Sequence, residues 1–277
     1  MKLYLKTKDY SFSGEEFQLV RDETKDMLLT QPVPENLEAF YEGDNYISHT
    51  DSKSSVMDSV YQLIKLVNIR KKIQLIENQT DKSKKILDIG AGTGDFLYYA
   101  NKKGFEIHGV EPNAKARARA RSKGIDLEKS LSDISETSHQ VITLWHVLEH
   151  LPDLTKQIEN VVGMLAENGV VVVAVPNFRS WDASHYQEYW AGYDVPRHLW
   201  HFSRVSIKTL FKEHGLEVRT IKPMWFDAFY VSLLSEKYKG NKFYLIAAFL
   251  KGLWSNIHAM FTKEYSSLIY ILEKEKK

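Results

Sequence analysis

The sequence contains no cysteine and carries almost no net charge. Without cysteine there is no disulfide, no thiolate nucleophile and no cysteine-ligated zinc site. The 37 basic residues offset 36 acidic residues and leave a formal charge of +1. The chain therefore has no overall field that would attract nucleic acid, and we predict that nucleic acid is not a partner.

Long apolar runs are also missing. The longest unbroken run, Phe243 to Leu250, is too short to span a bilayer, and residues 1–16 lack the apolar core of a signal peptide. We therefore expect a cytoplasmic protein without a transmembrane segment. The sequence leaves open whether it is a monomer or a homodimer.

The most informative stretch is KILDIGAGTGDF, at residues 85–96. Its apolar start predicts a buried strand, and the pattern from Asp95 onward predicts a helix. Between them, Gly90, Gly92 and Gly94 give a turn without Cβ atoms. Such a turn lets a ligand lie against the backbone, and the first amide groups of the helix would point at that ligand.

Two carboxylates indicate which ligand this turn holds. Asp88, at the strand end, would repel a pyrophosphate but suits a ligand with an ammonium and a sulfonium group. Glu111 ends the next strand, 21 residues beyond Gly90, the separation at which an acid accepts hydrogen bonds from ribose hydroxyls. These features describe S-adenosyl-L-methionine. A nicotinamide dinucleotide and a purely structural glycine turn remain the alternatives.

Four segments, ILDIGAGTGDF, GVEPN, ITLWHVLEHLPD and VVVVAVPN, resemble successive motifs of class I S-adenosylmethionine-dependent methyltransferases. They are most similar to the branch that contains the ubiquinone-biosynthesis O-methyltransferases. This branch is similar to the family called methyltransferase domain 23. The resemblance covers about residues 46–274. It implies methyl transfer from S-adenosyl-L-methionine, with S-adenosyl-L-homocysteine as product, to a small-molecule acceptor, with oxygen as the favoured acceptor atom. A non-catalytic protein that binds this cofactor is the rival from another class.

The fold expected from this resemblance is Rossmann-like α/β. It has a seven-stranded sheet in the order 3-2-1-4-5-7-6, parallel except for the last strand, with helices on both faces. The residue patterns agree, since strands alternate with helices. The predicted strands lie at residues 85–89, 105–110, 125–129, 141–145, 170–175, 216–222 and 266–272.

Three further regions flank this core. Residues 1–45 predict a small β-rich segment, where relatives often carry a zinc ribbon; without cysteines it would be a remnant or a docking surface. Residues 54–78 predict a long amphipathic helix across the mouth of the cofactor cleft. The methyltransferase domain, residues 46–277, would contain a helical insertion at 225–260. Its aromatic residues could form a lid, a dimer face or an interfacial membrane contact, or pack against the domain itself.

Most of the candidate cofactor residues follow from the resemblance. Tyr46 and His49 would lie over the methionine end at the cleft entrance, with ordinary loop packing as the alternative. The full set is Tyr46, His49, Asp88, Gly90, Ala91, Gly92, Gly94, Asp95, Glu111, Pro112, Leu131, Trp145 and His146.

The segment TLWHVLEH, at residues 143–150, supplies the catalytic candidates. His146 is the first candidate for the base that removes an acceptor proton and His150 is the second, because a histidine titrates near neutrality. Structural histidines are the alternative. The pattern H-x-x-E-H also occurs in a class of zinc protease, but here it follows an apolar strand. His146, Glu149 and His150 could form a divalent-metal triad, yet a polar lining is simpler, and we assign no metal.

Residues 190–202, WAGYDVPRHLWHF, are the best candidate for the acceptor pocket. Loops that place aromatic faces beside charged groups usually bind a ligand. Asp194, Arg197 and His198 could grip an acidic or hydroxylated ring. A self-contained aromatic cluster braced by an Asp194–Arg197 pair is the alternative.

Overall fold

The computed structural model describes residues 1–41, 56–79, 85–135 and 137–275. Tyr46 and His49 lie outside these residues. The strands are β1 (Lys2–Lys8), β2 (Glu16–Asp22), β3 (Met27–Gln31), β4 (Lys85–Ile89), β5 (Glu106–Val110), β6 (His139–Trp145), β7 (Leu165–Pro176), β8 (Trp200–His201), β9 (Leu216–Pro223) and β10 (Ser267–Lys274). The α-helices are α1 (Val56–Glu77), α2 (Asp95–Lys102), α3 (Ala114–Arg121), α4 (Leu154–Met164), α5 (Trp181–Tyr186), α6 (Arg204–Lys212), α7 (Asp227–Tyr238) and α8 (Tyr244–Thr262).

The larger sheet is mixed and has the order β5-β4-β6-β7-β10-β9. Strands β5, β4, β6 and β7 are mutually parallel, whereas β10 runs antiparallel to both β7 and β9. The Rossmann-like α/β architecture and the antiparallel last strand are thus confirmed. Because parallel strands end at the same edge, the ends of β4, β5 and β6 form one ligand-facing rim.

The predicted third strand, at residues 125–129, is not formed as a strand. Glu128 forms an isolated bridge to Val110: the Glu111 N–H donates to Glu128 O, and the Glu128 N–H donates to Gly109 O, both at 2.9 Å. The alternation that suggested a strand is present, since Ile125 and Leu127 are buried. Pairing stops because the chain turns at once into the short 3-10 helix Leu131–Asp133. The described sheet therefore has six strands rather than seven.

Both faces of the central strands are buried, which explains their continuous apolar sequences. On β7, Val171 and Val173 face one apolar cluster and Val172 faces the other, with zero exposure for all three. One face is covered by α4 and α6, and the opposite face by α1, α2 and α3. The rim that carries the glycine turn is therefore held by a rigid core.

The N-terminal strands form a second sheet, in the order β1-β2-β3-β8. The predicted β-rich segment thus contains three strands, and its fourth strand comes from the connection after β7. Leu28 pairs with His201 and Leu29 with Trp200. This sheet is continuous with the 190–202 connection, and the two share a buried aromatic cluster that includes Phe17.

The insertion before β10 consists of α7 and α8, which pack against each other. A Cβ atom at Gly252 would lie 2.8 Å from Phe229 Cδ1, so this glycine permits the close approach of the two helices. Within the part of the chain that the structure describes, no helix is long and apolar enough to cross a membrane.

Candidate functional site

The glycine turn after β4 leaves room beside its backbone at one position. Gly90, Gly92 and Gly94 have φ values of 70°, 56° and 74°, a region that favours glycine. A Cβ atom at Gly90 would lie 2.4 Å from Val147 Cγ2, and one at Gly94 would lie 2.9 Å from Ala120 Cβ. At Gly92 it would meet no atom within 4 Å. The open space beside Gly92 fits a ligand that lies against the chain.

Asp88 carries a buried carboxyl group on β4, two residues before this turn. Its side chain accepts a hydrogen bond from Thr143 Oγ1 at 2.6 Å, and the residue is 3% exposed. Burial raises the pKa of Asp88 to about 7, although Thr143 and the ammonium of Lys72 act to lower it. A bound cation would favour the ionised carboxylate, so the site is suited to a cationic ligand.

Glu111, at the end of β5, is bonded to the glycine turn. Its Oε2 accepts from the Gly92 N–H at 2.9 Å, and its Oε1 accepts from the Asn113 N–H at 2.8 Å. Burial raises the pKa of Glu111, while these two N–H groups lower it. The contact with ribose stays a prediction. The hydrogen bond from Gly92 was not predicted, because it depends on the direction in which the Gly92 N–H points within the turn.

The other candidate cofactor residues surround the same turn. The Ala91 N–H donates to Val110 O at 2.9 Å, and Asp95 accepts from Thr93 Oγ1 at 2.8 Å and from Lys123 Nζ at 2.7 Å. Pro112 directly follows Glu111 in sequence.

Leu131 and Trp145 lie at the ends of neighbouring segments. Leu131 packs against the core from its short helix. Among the residues that the structure describes, none pairs with the buried indole Nε1 of Trp145, and Lys72 Nζ lies 4.4 Å from the centroid of the indole ring. Burial lowers the pKa of Lys72 to about 8, although the negative charges of Asp88 and Asp227 act to raise it. The sequence predicted the helix that carries Lys72, but it did not indicate that Lys72 lies beside Trp145.

His146 follows β6 with a φ of 57°, an uncommon value for a residue with a side chain. Its Nδ1 lies 3.3 Å from Glu149 Oε1, and its Nε2 lies 3.1 Å from Asp227 Oδ2. Burial alone would lower the pKa of His146, but the bonds to Asp227 and Glu149 outweigh it and raise the pKa to about 10. In this arrangement His146 is an imidazolium, which donates protons rather than accepting them. Asp227 was missed, since it begins the distant helix α7.

A second cluster consists of Glu149, His150 and His198. Their ligand atoms lie within 4.8 Å of one another, and among the described residues this is the group that could hold a metal ion. Burial and His198 lower the pKa of His150 to about 4, so its imidazole is neutral. Glu149 is 1% exposed, and its Oε2 accepts no hydrogen bond from any described part of the chain. The triad considered from sequence was His146, Glu149 and His150. The structure instead brings His198 together with Glu149 and His150.

Arg197 is buried and fully engaged by protein groups. Its Nε donates to Asp194 Oδ2 at 3.0 Å, and its Nη2 donates to Asp194 Oδ1 at 2.7 Å and Asp9 Oδ1 at 3.1 Å. The guanidinium also donates to Ser11 Oγ and, at 3.3 Å, to Phe40 O. These contacts favour the bracing alternative over a grip on an acceptor, and Asp9 is a partner that the sequence did not reveal.

The sequence comparisons decide the family. Residues 60–221, more than half of the chain, match the family model described as a methyltransferase domain. The chain belongs to this methyltransferase family. The open space at Gly92, with the buried carboxyl group of Asp88 in the preceding strand, fits a cationic ligand that lies against the backbone.

Two curated relatives are both named ubiquinone biosynthesis O-methyltransferase. The protein of Histophilus somni (strain 2336) is 27% identical over 128 residues, which cover 40% of this chain and 54% of that protein. The protein of Aeromonas salmonicida (strain A449) is 29% identical over 113 residues, which cover 35% of this chain and 48% of that protein. The methyltransferase spans about half the length of these relatives.

Solved structures share the fold at low identity. The magnesium protoporphyrin IX methyltransferase of Synechocystis PCC 6803, solved with bound S-adenosylhomocysteine, has a TM-score of 0.58 and 10% identity; the match covers 87% of this chain and all of that one. An S-adenosylmethionine-dependent methyltransferase of Archaeoglobus fulgidus has a TM-score of 0.51 and 16% identity, over 74% of this chain and 93% of that one.

Proposed function

We propose that this methyltransferase transfers a methyl group to an oxygen atom of a small molecule that carries an ionisable hydroxyl group. The observation that carries the proposal is His146, held between Glu149 and Asp227 at the end of β6. Its neighbour Val147 packs against Gly90 of the cofactor turn. The two curated relatives are both O-methyltransferases by name, which supports the same acceptor atom.

The cofactor would be held by the rim of the larger sheet. Asp88 would face its cationic methionine end, Glu111 its ribose, and the backbone at Gly92 would lie against it. Lys72 Nζ, which is attracted to Asp88, would pair with the cofactor carboxylate. When bound, the cofactor supplies a methyl group on a sulfonium sulfur.

On the acceptor side, His146 is the group that would receive the hydroxyl proton. An acceptor hydroxyl that replaces Asp227 at Nε2 leaves His146 paired with Glu149 alone. The pKa of His146 then falls from about 10 toward its ordinary value, because one of two carboxylates has gone. In that state the imidazolium would release its Nε2 proton to solvent, and the neutral imidazole would then take the hydroxyl proton while the oxygen accepts the methyl group.

The variant His146→Gln tests this assignment. We expect kcat for phenolic acceptors to fall about 100-fold, because general base catalysis is lost, while the Kd for S-adenosylmethionine changes by less than about threefold. The assay follows transfer of labelled methyl groups to a panel of phenols, catechols, amines and thiols, with His214→Gln as the matched control. Unchanged kcat would remove His146 from this role, and methylation of amines or thiols alone would refute an oxygen acceptor.

The pH dependence of cofactor affinity gives a second test. Asp88 has a pKa of about 7 before binding, and a cation lowers it, so binding releases a proton. The affinity should therefore rise with pH up to about 7 and fall up to about tenfold per unit below it. Calorimetry in buffers of different ionisation enthalpy measures the released proton directly. Affinity that is flat across this range would show that Asp88 does not face the cofactor charge.

A further inference from the structure

Helix α8 has its small side chains inside and its large apolar side chains outside. The buried face is formed by Ala248, Gly252, Ser255, Asn256 and Ala259. The opposite face is exposed, with Phe243 74%, Ile246 65%, Phe249 60%, Leu250 55%, Trp254 53% and Phe261 82% accessible. A helix that folds against its own protein normally shows the reverse arrangement. An apolar face of this extent marks an interaction surface.

The charged residues within this segment are all of one sign, and the two acids that flank it, Glu236 and Glu264, are bonded to protein groups. Between Lys237 and Lys263 the sequence has five lysines and no acidic residue. Lys237, Lys239 and Lys242 are exposed just before α8, and Lys263 is exposed at its end. The apolar face is therefore bordered by positive charge at both ends, although the whole chain is nearly neutral.

We propose that α8 docks in the plane of an anionic lipid surface. Aromatic and aliphatic side chains on one helix face, bordered by lysines, are the pattern that inserts into the headgroup region and attracts anionic lipids. A second copy of the chain is a poorer occupant. A symmetric pairing through this face would bring lysines together without acidic partners from this segment.

Vesicle binding tests the proposal with the full chain. The protein should co-sediment with vesicles of phosphatidylcholine and phosphatidylglycerol, and bind vesicles of phosphatidylcholine alone about tenfold more weakly. The triple variant Ile246→Asn/Phe249→Asn/Trp254→Asn should lower binding at least about tenfold, because its apolar contact is lost. Lys239→Glu/Lys242→Glu should lower binding to the anionic vesicles only.

The controls use exposed residues of α6. Val205 is 55% exposed, so Val205→Asn is matched to the apolar variants, and Lys208→Glu is matched to the charge variant. Neither should change binding. Brominated lipids should quench wild-type tryptophan fluorescence, and Trp254→Phe should remove most of that quenching. This variant keeps the apolar face, so the test does not depend on the folding of the triple variant.

Three outcomes would overturn the proposal. The protein could remain in the supernatant with anionic vesicles, or bind them equally after the α8 substitutions. Analytical ultracentrifugation could instead show a dimer that the triple variant dissociates, which would assign the face to a second copy. None of these outcomes depends on methyl transfer, so the proposed acceptor chemistry is tested separately.

Discussion

Asp88→Asn should reduce the affinity for S-adenosylmethionine about 100-fold, the loss typical for one partner of a buried charge pair. The side chain is 3% exposed and keeps its hydrogen bond from Thr143 after substitution, so the shape of the site is maintained. The variant removes only the negative charge that the cationic cofactor would meet. In the wild-type protein that charge is partly suppressed at neutral pH, so the difference should widen as the pH rises.

Isothermal titration with S-adenosylmethionine measures this loss, and the thermal unfolding midpoint of the unliganded protein checks folding. Asp126→Asn is the matched control, because Asp126 is an exposed carboxylate whose side chain is 85% accessible. The variant Asp88→Asn should also lose the pH dependence of binding. An affinity within about threefold of the wild type would mean that another group receives the cofactor charge.

Arg197→Met should lower the free energy of unfolding by about 3–5 kcal/mol, because removing one partner of a buried ion pair leaves the other charges uncompensated. The Asp9 side chain is fully buried, and the pKa values of Asp9 and Asp194 are lowered because Arg197 and hydrogen bonds outweigh burial. Lowered carboxyl pKa values stabilise the protein above the ordinary pKa of 3.8. That stabilisation is lost as the pH falls through the folded-state values.

Urea denaturation at neutral pH measures the effect. Arg204→Met is the matched control: Arg204 is 31% exposed and 3.4 Å from Glu264, and a pair of this kind contributes about 1 kcal/mol or less. Asp9→Asn should destabilise the protein in the same direction as Arg197→Met. If Arg197→Met leaves stability unchanged and raises the KM for the acceptor instead, Arg197 belongs to the acceptor pocket.

Much of the larger sheet follows from local patterns. Residues 85–96 predicted strand, turn and helix correctly, because apolar periodicity and glycine act within a few residues. The positions of Asp88 and Glu111 at neighbouring strand ends could also be read from sequence, since parallel strands end at one rim.

The features that were missed depend on contacts between distant segments. Strand β8 has only two residues, too few for any periodicity, and is defined by its pairing with β3. Likewise, Lys72, Asp227 and Asp9 lie on elements whose approach to the site is set by packing. Residues 125–129, predicted as the third strand, have the alternation of a strand but do not form the hydrogen-bond ladder of one.

The pairing of β3 with β8 also bears on how the polypeptide acquires its fold on the ribosome. Strand β3 is synthesised before β8, so its edge at Leu28 and Leu29 meets its partner only when Trp200 and His201 have been synthesised. Until then this edge is open, and an open strand edge is a template for pairing with another chain. The nascent chain is therefore exposed to intermolecular mispairing from the synthesis of β3 until the synthesis of β8.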